Sequence, residues 1–167
     1  MPFVLLKTYN QHLDIVAMNE HNRKISLMKI FDRDFTNNAN IKFKGKKITP
    51  TPKDGVIKME TLFTHLTTEM IDKVTRERRF EIERSKRLHW VRFHIDESKK
   101  DNLLYFSLKE KEGLRTYIYD IAEKYVVVLE PKSAEHYYLI TAFYVQGKDA
   151  QRDKFMKKYE RKLDELL

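Results

Sequence analysis

Four runs in the second half of the chain, LLYFSL (103–108), RTYIYDI (115–121), KYVVVLE (124–130) and HYYLITAFYV (136–145), constrain the fold more than any other feature. They are rich in Tyr, Val, Ile, Phe and Thr, the side chains that suit a pleated, partly buried surface, and only short polar links separate them. Ala122-Glu123 is short enough for a hairpin, and Pro131-Lys132-Ser133-Ala134-Glu135 suits a longer turn. The expectation is a four-stranded antiparallel β-meander.

The flanks read as helix. Met70, Ile71, Val74, Phe80, Ile82, Leu88 and Val91 are compatible with one helical face, with Thr67 or Thr68 as N-cap and Glu69 and Asp72 in the first turn. This predicts a helix over 68–92, broken near Ser85. Phe155, Met156, Tyr159, Leu163 and Leu166 form an apolar stripe that predicts a C-terminal helix over 149–167. Upstream lie short apolar runs at 3–6, 13–18, 25–31 and 41–43, with a hairpin expected to turn near Gly45, and ITPTPKDG (48–55) punctuates the chain. The fold class is α+β. An N-terminal mixed unit of unassigned role (1–66) precedes a domain (67–167) of helix, meander and C-terminal helix, with one sheet face covered by helix and the other left for a ligand.

Zero cysteines among 167 residues exclude disulfides, thiolate zinc sites and a catalytic thiol, and fit a reducing, cytoplasmic setting. The N-terminal apolar residues are interrupted by Lys7, Asn10, Gln11, His12 and Asp14, so they read as neither a signal peptide nor a membrane span. No phosphate-binding loop, dinucleotide fingerprint or zinc-peptidase motif occurs, and no cofactor or metal is expected.

The formal charge of +8 would attract polyanions. Between Lys73 and Arg92 eight basic residues face three acidic ones, a surplus of five. Arg78, Arg79, Arg84, Lys86 and Arg87 are therefore the candidate nucleic-acid-binding residues. The alternation of Arg and Glu in the same stretch also describes an ordinary solvated, salt-bridged face.

Metal-independent cleavage of RNA needs little from a protein, because the 2′-hydroxyl is the nucleophile. It needs proton transfer, which suits His with its reference pKa of about 6.5, and a planar donor for the phosphorane, which suits Arg. His89, in SKRLHW, stands at the end of the expected basic helix, and His94 is a weaker candidate of the same kind. His12, His21, His65 and His136 read as surface or packing residues. Arg115 opens a strand on whose face Tyr117 and Tyr119 also lie, and Thr141 stands on the last strand.

The segments SKRLHW (85–90), RTYIYD (115–120), KYVVVLEP (124–131) and YYLITAFYV (137–145) together resemble the phage-associated Barnase, EndoU, colicin and RelE-like nuclease superfamily. The likeness covers less than half of the chain. It implies one or more helices joined to a four-stranded antiparallel sheet, and an RNase acting as a toxin or phage effector. It implies catalytic roles for His89, Arg115 and Thr141, with Tyr117 and Tyr144 as additional contributors. The expected activity is a metal-independent endoribonuclease that leaves a 2′,3′-cyclic phosphate. RNA is the expected partner, an acidic immunity protein or antitoxin a further one, and no membrane is involved. The competing expectation is a non-catalytic module that binds nucleic acid or another phage protein.

Overall fold

The computed structural model describes residues 11–167. The apolar run at 3–6 lies outside them. Among the described residues the chain is α+β, with six α-helices, a six-stranded mixed sheet and a separate two-stranded hairpin.

Helix α1 (Glu20–Phe31) starts on Asn19, whose side chain accepts the N–H of Asn22, and continues into a wider π-helical turn at Asp32–Thr36. The hairpin of β1 (Lys42–Phe43) and β2 (Lys46–Pro50) turns at Lys44 and Gly45, both in the left-handed region. Helix α2 (Met59–Thr67) follows.

The segment expected as one helix over 68–92 is instead a hairpin of β3 (Thr68–Asp72) and β4 (Glu77–Phe80), then the short helices α3 (Ile82–Ser85) and α4 (Trp90–Ile95). Local chemistry explains the difference. Thr67 and Thr68 end a helix rather than begin one, their hydroxyls donating back to the carbonyls of Phe63 and Thr64. The Asp72 carboxylate accepts the N–H groups of Val74 and Thr75, which nucleates a turn that Arg76 completes with positive φ. Val74, one of the residues that suggested a helical face, is 92% exposed at the tip of that turn.

The strands β5 (Leu103–Glu110), β6 (Gly113–Asp120), β7 (Tyr125–Ser133) and β8 (His136–Tyr144) are antiparallel neighbours in sequence order. The expected five-residue turn at 131–135 is tighter than that. β7 runs on through Pro131 and Lys132 to Ser133, leaving two residues before β8, with the register shifting between Pro131 and Ser133. β2 then pairs with β8 in parallel, from Lys47 opposite His136 to Pro50 opposite Leu139, so the sheet order is β1-β2-β8-β7-β6-β5. One sheet thus spans both sides of residue 66. Among the described residues no helix is long and apolar enough to cross a membrane.

Two cores flank the sheet. On its inner face Phe43, Ile48, Ile118, Tyr125, Val127, Leu129, Tyr137 and Leu139 pack with residues of α1, α2 and α4, including Phe31, Leu62, Leu66 and Trp90. On its outer face Phe106, Leu108, Tyr117, Tyr119, Val126 and Val128 pack with Phe155 and Tyr159. The helix expected over 149–167 is two pieces, α5 (Gly147–Gln151) and α6 (Lys154–Glu160), separated at Asp153 by a left-handed residue. Residues past Arg161 leave the helical path.

One charged cluster is sealed inside. Asp120 accepts from His94 Nε2 at 2.9 Å and from Lys99 Nζ at 2.6 Å, and His94 Nδ1 lies 2.7 Å from the Trp90 carbonyl. Both ring nitrogens of His94 thus lie within hydrogen-bond distance of an oxygen. Burial pushes the Asp120 carboxyl up, but the hydrogen bonds from His94 and Lys99 outweigh it and hold the group below the usual carboxylate range. A depressed folded-state pKa adds stability that is present above the unfolded value, about 3.9, and lost as pH falls through the folded one. Asp120→Asn should therefore cost about 3–5 kcal/mol at neutral pH, because it leaves the buried Lys99 ammonium without its carboxylate. Urea denaturation between pH 7 and 3 checks this, since the variant should also lose stability less steeply on acidification than the parent.

Candidate functional site

Alternation along β2, β7 and β8 sorts their residues between the two faces. Ile48, Leu129, Tyr137 and Leu139 go to the inner core, so Thr49, Lys47, Glu130, His136 and Tyr138 go to the outer face. Lys47 pairs with Lys42, and Glu130 is bonded to Arg115, so both of those residues share that face. α5 and α6 cover only the part of the outer face built on Phe106, Tyr117, Tyr119, Val126 and Phe143. The remainder carries the exposed Lys42, Lys47 and Lys132 beside the partly buried Arg115, Glu130, His136, Tyr138 and Thr49.

Its internal geometry is polar and aromatic. Arg115 Nη1 lies 3.0 Å from one Glu130 carboxylate oxygen, and Lys132 Nζ lies 3.2 Å from the other. Lys132 also stands 5.4 Å from the centre of the Tyr138 ring, an ammonium over a π face. His136 meets Tyr138 edge-on at 5.2 Å, and its Nε2 is 2.7 Å from Thr49 Oγ1. Four cations against one carboxylate make the surface attractive to phosphate. The two rings supply stacking area for bases.

The residues expected from the sequence are dispersed. Arg115, Tyr117 and Thr141 do share the outer face: Tyr117 pairs with Val128 and Val128 with Thr141, and Arg115 lies two residues before Tyr117. Only Arg115 belongs to the open surface. Tyr117 is covered by Phe155, with ring centres 5.6 Å apart, and donates its hydroxyl to Glu110, which also pairs with Lys158. Burial first, and then the Glu110 carboxylate, push its phenol well above the usual range. Thr141 sits at the outer edge of β8 beyond its pairing with β2, bonded to the His65 carbonyl and 3.3 Å from Arg84 Nη1. Tyr144 is on the inner face, opposite Tyr125, beneath the Arg87 guanidinium at 4.0 Å. His89 is 0% exposed, and its neighbours Leu88 and Trp90 pack into the inner core, so its ring lies in the layer on the other side of the sheet from Arg115. His94 is consumed by Asp120.

The basic residues of 78–87 are mostly turned inward. Arg84 donates to the carbonyls of His65 and Thr68, Arg78 donates to Thr68, and Ser85 donates to the carbonyl of Thr67. Together they satisfy the exposed carbonyls where α2 ends, a place that favours cations. Arg87 and Lys86 both bind Glu83, and Arg79 pairs with Glu69 at the surface. Burial lowers the pKa of His65, with Arg78 adding to the effect, and the same two kinds of cause act on His12 beside Arg87 and Lys86.

From the sequence His136 reads as a surface or packing residue, and Glu130, Lys132, Lys42 and Lys47 carry no expected role. The signal that was available is the lysine run KFKGKK at 42–47 together with the alternation His136-x-Tyr138. What joins them is the parallel β2–β8 register, which no local pattern encodes. Among the described residues no group of three or more His, Cys, Asp or Glu side chains gathers as a metal site would require. No family model, curated protein or solved structure matches the chain.

Arg84→Ala should behave as a fold-breaking change and not as a simple loss of charge. Removing the guanidinium strands the α2 carbonyls, at a cost of about 2–3 kcal/mol. Arg79→Ala, at an exposed ion pair, should stay within about 0.5 kcal/mol. Chemical denaturation of the two variants side by side checks the contrast, and equal midpoints would contradict it.

Proposed function

We propose that the chain is a metal-independent endoribonuclease whose substrate lies across the open outer face of the sheet. The observation that carries the reading is the juxtaposition of Arg115, Glu130 and Lys132 in one ion-pair group beside His136 and Tyr138. These are the residue types that transesterification of RNA needs: a carboxylate and an imidazole for proton transfer, and cations for the phosphate. In this reading Glu130 accepts the proton of the 2′-hydroxyl as that oxygen attacks phosphorus. His136 gives a proton to the departing 5′-oxygen, so the products are a 2′,3′-cyclic phosphate and a 5′-hydroxyl. Arg115 and Lys132, which both reach the Glu130 carboxylate from the same side of the sheet, hold the non-bridging oxygens. Tyr138 offers a ring to a neighbouring base, and Lys42 and Lys47 extend the cationic track across the sheet. The resemblance to the Barnase, EndoU, colicin and RelE-like nucleases supports the class of reaction. Arg115 is the one residue common to that resemblance and to the open face.

A second reading, a non-catalytic RNA-binding surface, has its own observation. Arg115 and Glu130 already satisfy each other, and His136 is already bonded to Thr49. Incubation of the purified protein with total tRNA and rRNA in EDTA, followed by end-group analysis, separates the two. Cleavage to cyclic phosphate ends is expected, and His136→Ala or Arg115→Ala should lower its rate by about a hundredfold or more. Lys42→Ala with Lys47→Ala should weaken RNA binding and reduce its salt slope by roughly one unit per lost phosphate contact. Salt-sensitive binding without cleavage would favour the second reading, and cleavage unaffected by His136→Ala would sink the assignment of this face.

A further inference from the structure

α1 and α2 approach each other where the Phe31 and Phe63 rings lie 5.3 Å apart, edge to face. Toward the N-terminal end of α1 the Arg23 guanidinium lies over the Phe80 ring of β4, 3.6 Å from its centre. Arg23, Phe63 and Phe80 all line a cleft of about 570 Å³, a volume within the roughly 300–1,000 Å³ of small-molecule sites. Leu27 and Phe63 at its floor belong to the inner core, while Met28 and Phe80 pack on that core and stay partly exposed. The hydroxyls of Thr64, Thr67 and Thr68 on the α2 side donate back to the carbonyls of Glu60, Phe63 and Thr64, so they add no free donor to the wall.

The donors that remain belong to Arg23 and the exposed Lys24. Arg23 is half-buried, and among the described residues its guanidinium makes no hydrogen bond or ion pair. Glu20 stands three residues earlier on the same helix, at ion-pairing spacing, yet no pair forms. The rim carboxylates of Glu20 and Glu60 lie in the first turns of α1 and α2, where the helix dipole favours them. Arg23, near the same end of α1, has the dipole against it. A half-buried cation in that position is costly unless an anion compensates it. Stacking on Phe80 fixes the plane of the guanidinium and leaves its N–H edge to grip a planar carboxylate through two parallel bonds.

We propose that this cleft is a binding site for an organic monoanion with a flat apolar body, an aromatic carboxylate. Its carboxylate sits on the N–H edge of Arg23, and its ring lies against Met28 and Phe63, where thioether and aromatic contacts are favourable. Glu20 and Glu60 at the rim disfavour a phosphate dianion. The site lies on the helical side of the sheet and uses none of Arg115, Glu130, Lys132 or His136, so it stands apart from the nuclease reading.

The test titrates the full chain with anilinonaphthalene sulfonate, an aromatic anion whose emission rises in apolar surroundings, and then competes the dye with naphthoate. A single saturable site is expected, from which naphthoate displaces the dye and inorganic phosphate does not. Arg23→Gln removes the charge at similar length and should weaken naphthoate binding about tenfold or more, the scale of a lost hydrogen bond to a charged group. Thr64→Trp, which fills the cleft from α2, should abolish binding while circular dichroism and thermal midpoint stay those of a folded chain. The parent alone supplies a further readout: naphthoate should shift the Met28 methyl resonance and the Thr64 and Phe80 amides. Shifts confined to other parts of the chain, equal affinity in the parent and Arg23→Gln, undiminished binding by Thr64→Trp, or displacement by phosphate as effective as by naphthoate would each overturn the proposal.

Discussion

The parallel pairing of β2 with β8 holds the rest of the arrangement in place. It spans only Lys47–Pro50 against His136–Leu139, yet it converts what would be a sheet edge into an interior position and carries the lysines of the β1–β2 hairpin onto the sheet surface. Beyond Leu139 the same edge of β8 is taken over by the end of α2 and by α3, through Arg84 and the His65 carbonyl on Thr141. A register shift between Val128 and Leu129 marks the changeover. A bulge adds a residue to one strand and redirects the side chains beyond it. One strand therefore meets a strand along its first half and helical segments along its second. The open surface and the buried arginine cluster are consequences of that division.

The two faces of the sheet then diverge in chemistry. The inner face lies under helices that bring Leu, Ile, Phe and Trp to it, and the Asp120, His94 and Lys99 cluster buried there is internally bonded. The outer face receives only two short C-terminal helices, which cover one part and leave the other to water. Charge on an inner-face residue would have to overcome a desolvation cost of several kcal/mol. Lys47, Lys132 and His136 avoid it by standing on the uncovered part. Placement of these polar residues thus follows from the shortness of α5 and α6, and the left-handed residue at Asp153 is what divides them.

Strands β5 to β8 were legible in the sequence because their signal is local: period-two patterning in Tyr, Val, Ile and Thr, with short links. The hairpin at 68–80 was not. Met70, Ile71 and Val74 have helical spacing, but the spacing reflects no buried face, since all three are exposed. The deciding interactions are side chain to backbone, from Asp72, Thr67 and Thr68, and these compete with helix on nearly equal terms. Of the candidate site, Arg115 was legible because it opens a strong strand. His136 and Glu130 were not, because their partners come from β2, nearly ninety positions away in sequence, or depend on β7 continuing past Pro131. His89 drew notice as a helix-end histidine beside basic residues, but the helix that would have exposed it does not exist as one piece.

The arginines and lysines divide the positive charge between two tasks. Arg78, Arg84, Arg87 and Arg92 all reach backbone carbonyls, Arg92 spanning those of Asp34 and Asn38, which suits a planar fork with several donors in fixed directions. The ammonium groups of β1, β2 and the end of β7 are point charges on flexible stems at the surface, better suited to a mobile phosphate chain. A carbonyl does not neutralise the guanidinium groups of Arg78 and Arg84, whereas Arg87 and Arg92 also pair with the carboxylates of Glu83 and Asp96. Arg78 and Arg84 therefore add to the positive field of the molecule, which reaches across about 8–10 Å at physiological salt. In the proposed nuclease reading the excess of five positive charges in 73–92 would act on approach while contact would fall to residues of the outer face, and a count of charges along the sequence does not separate the two.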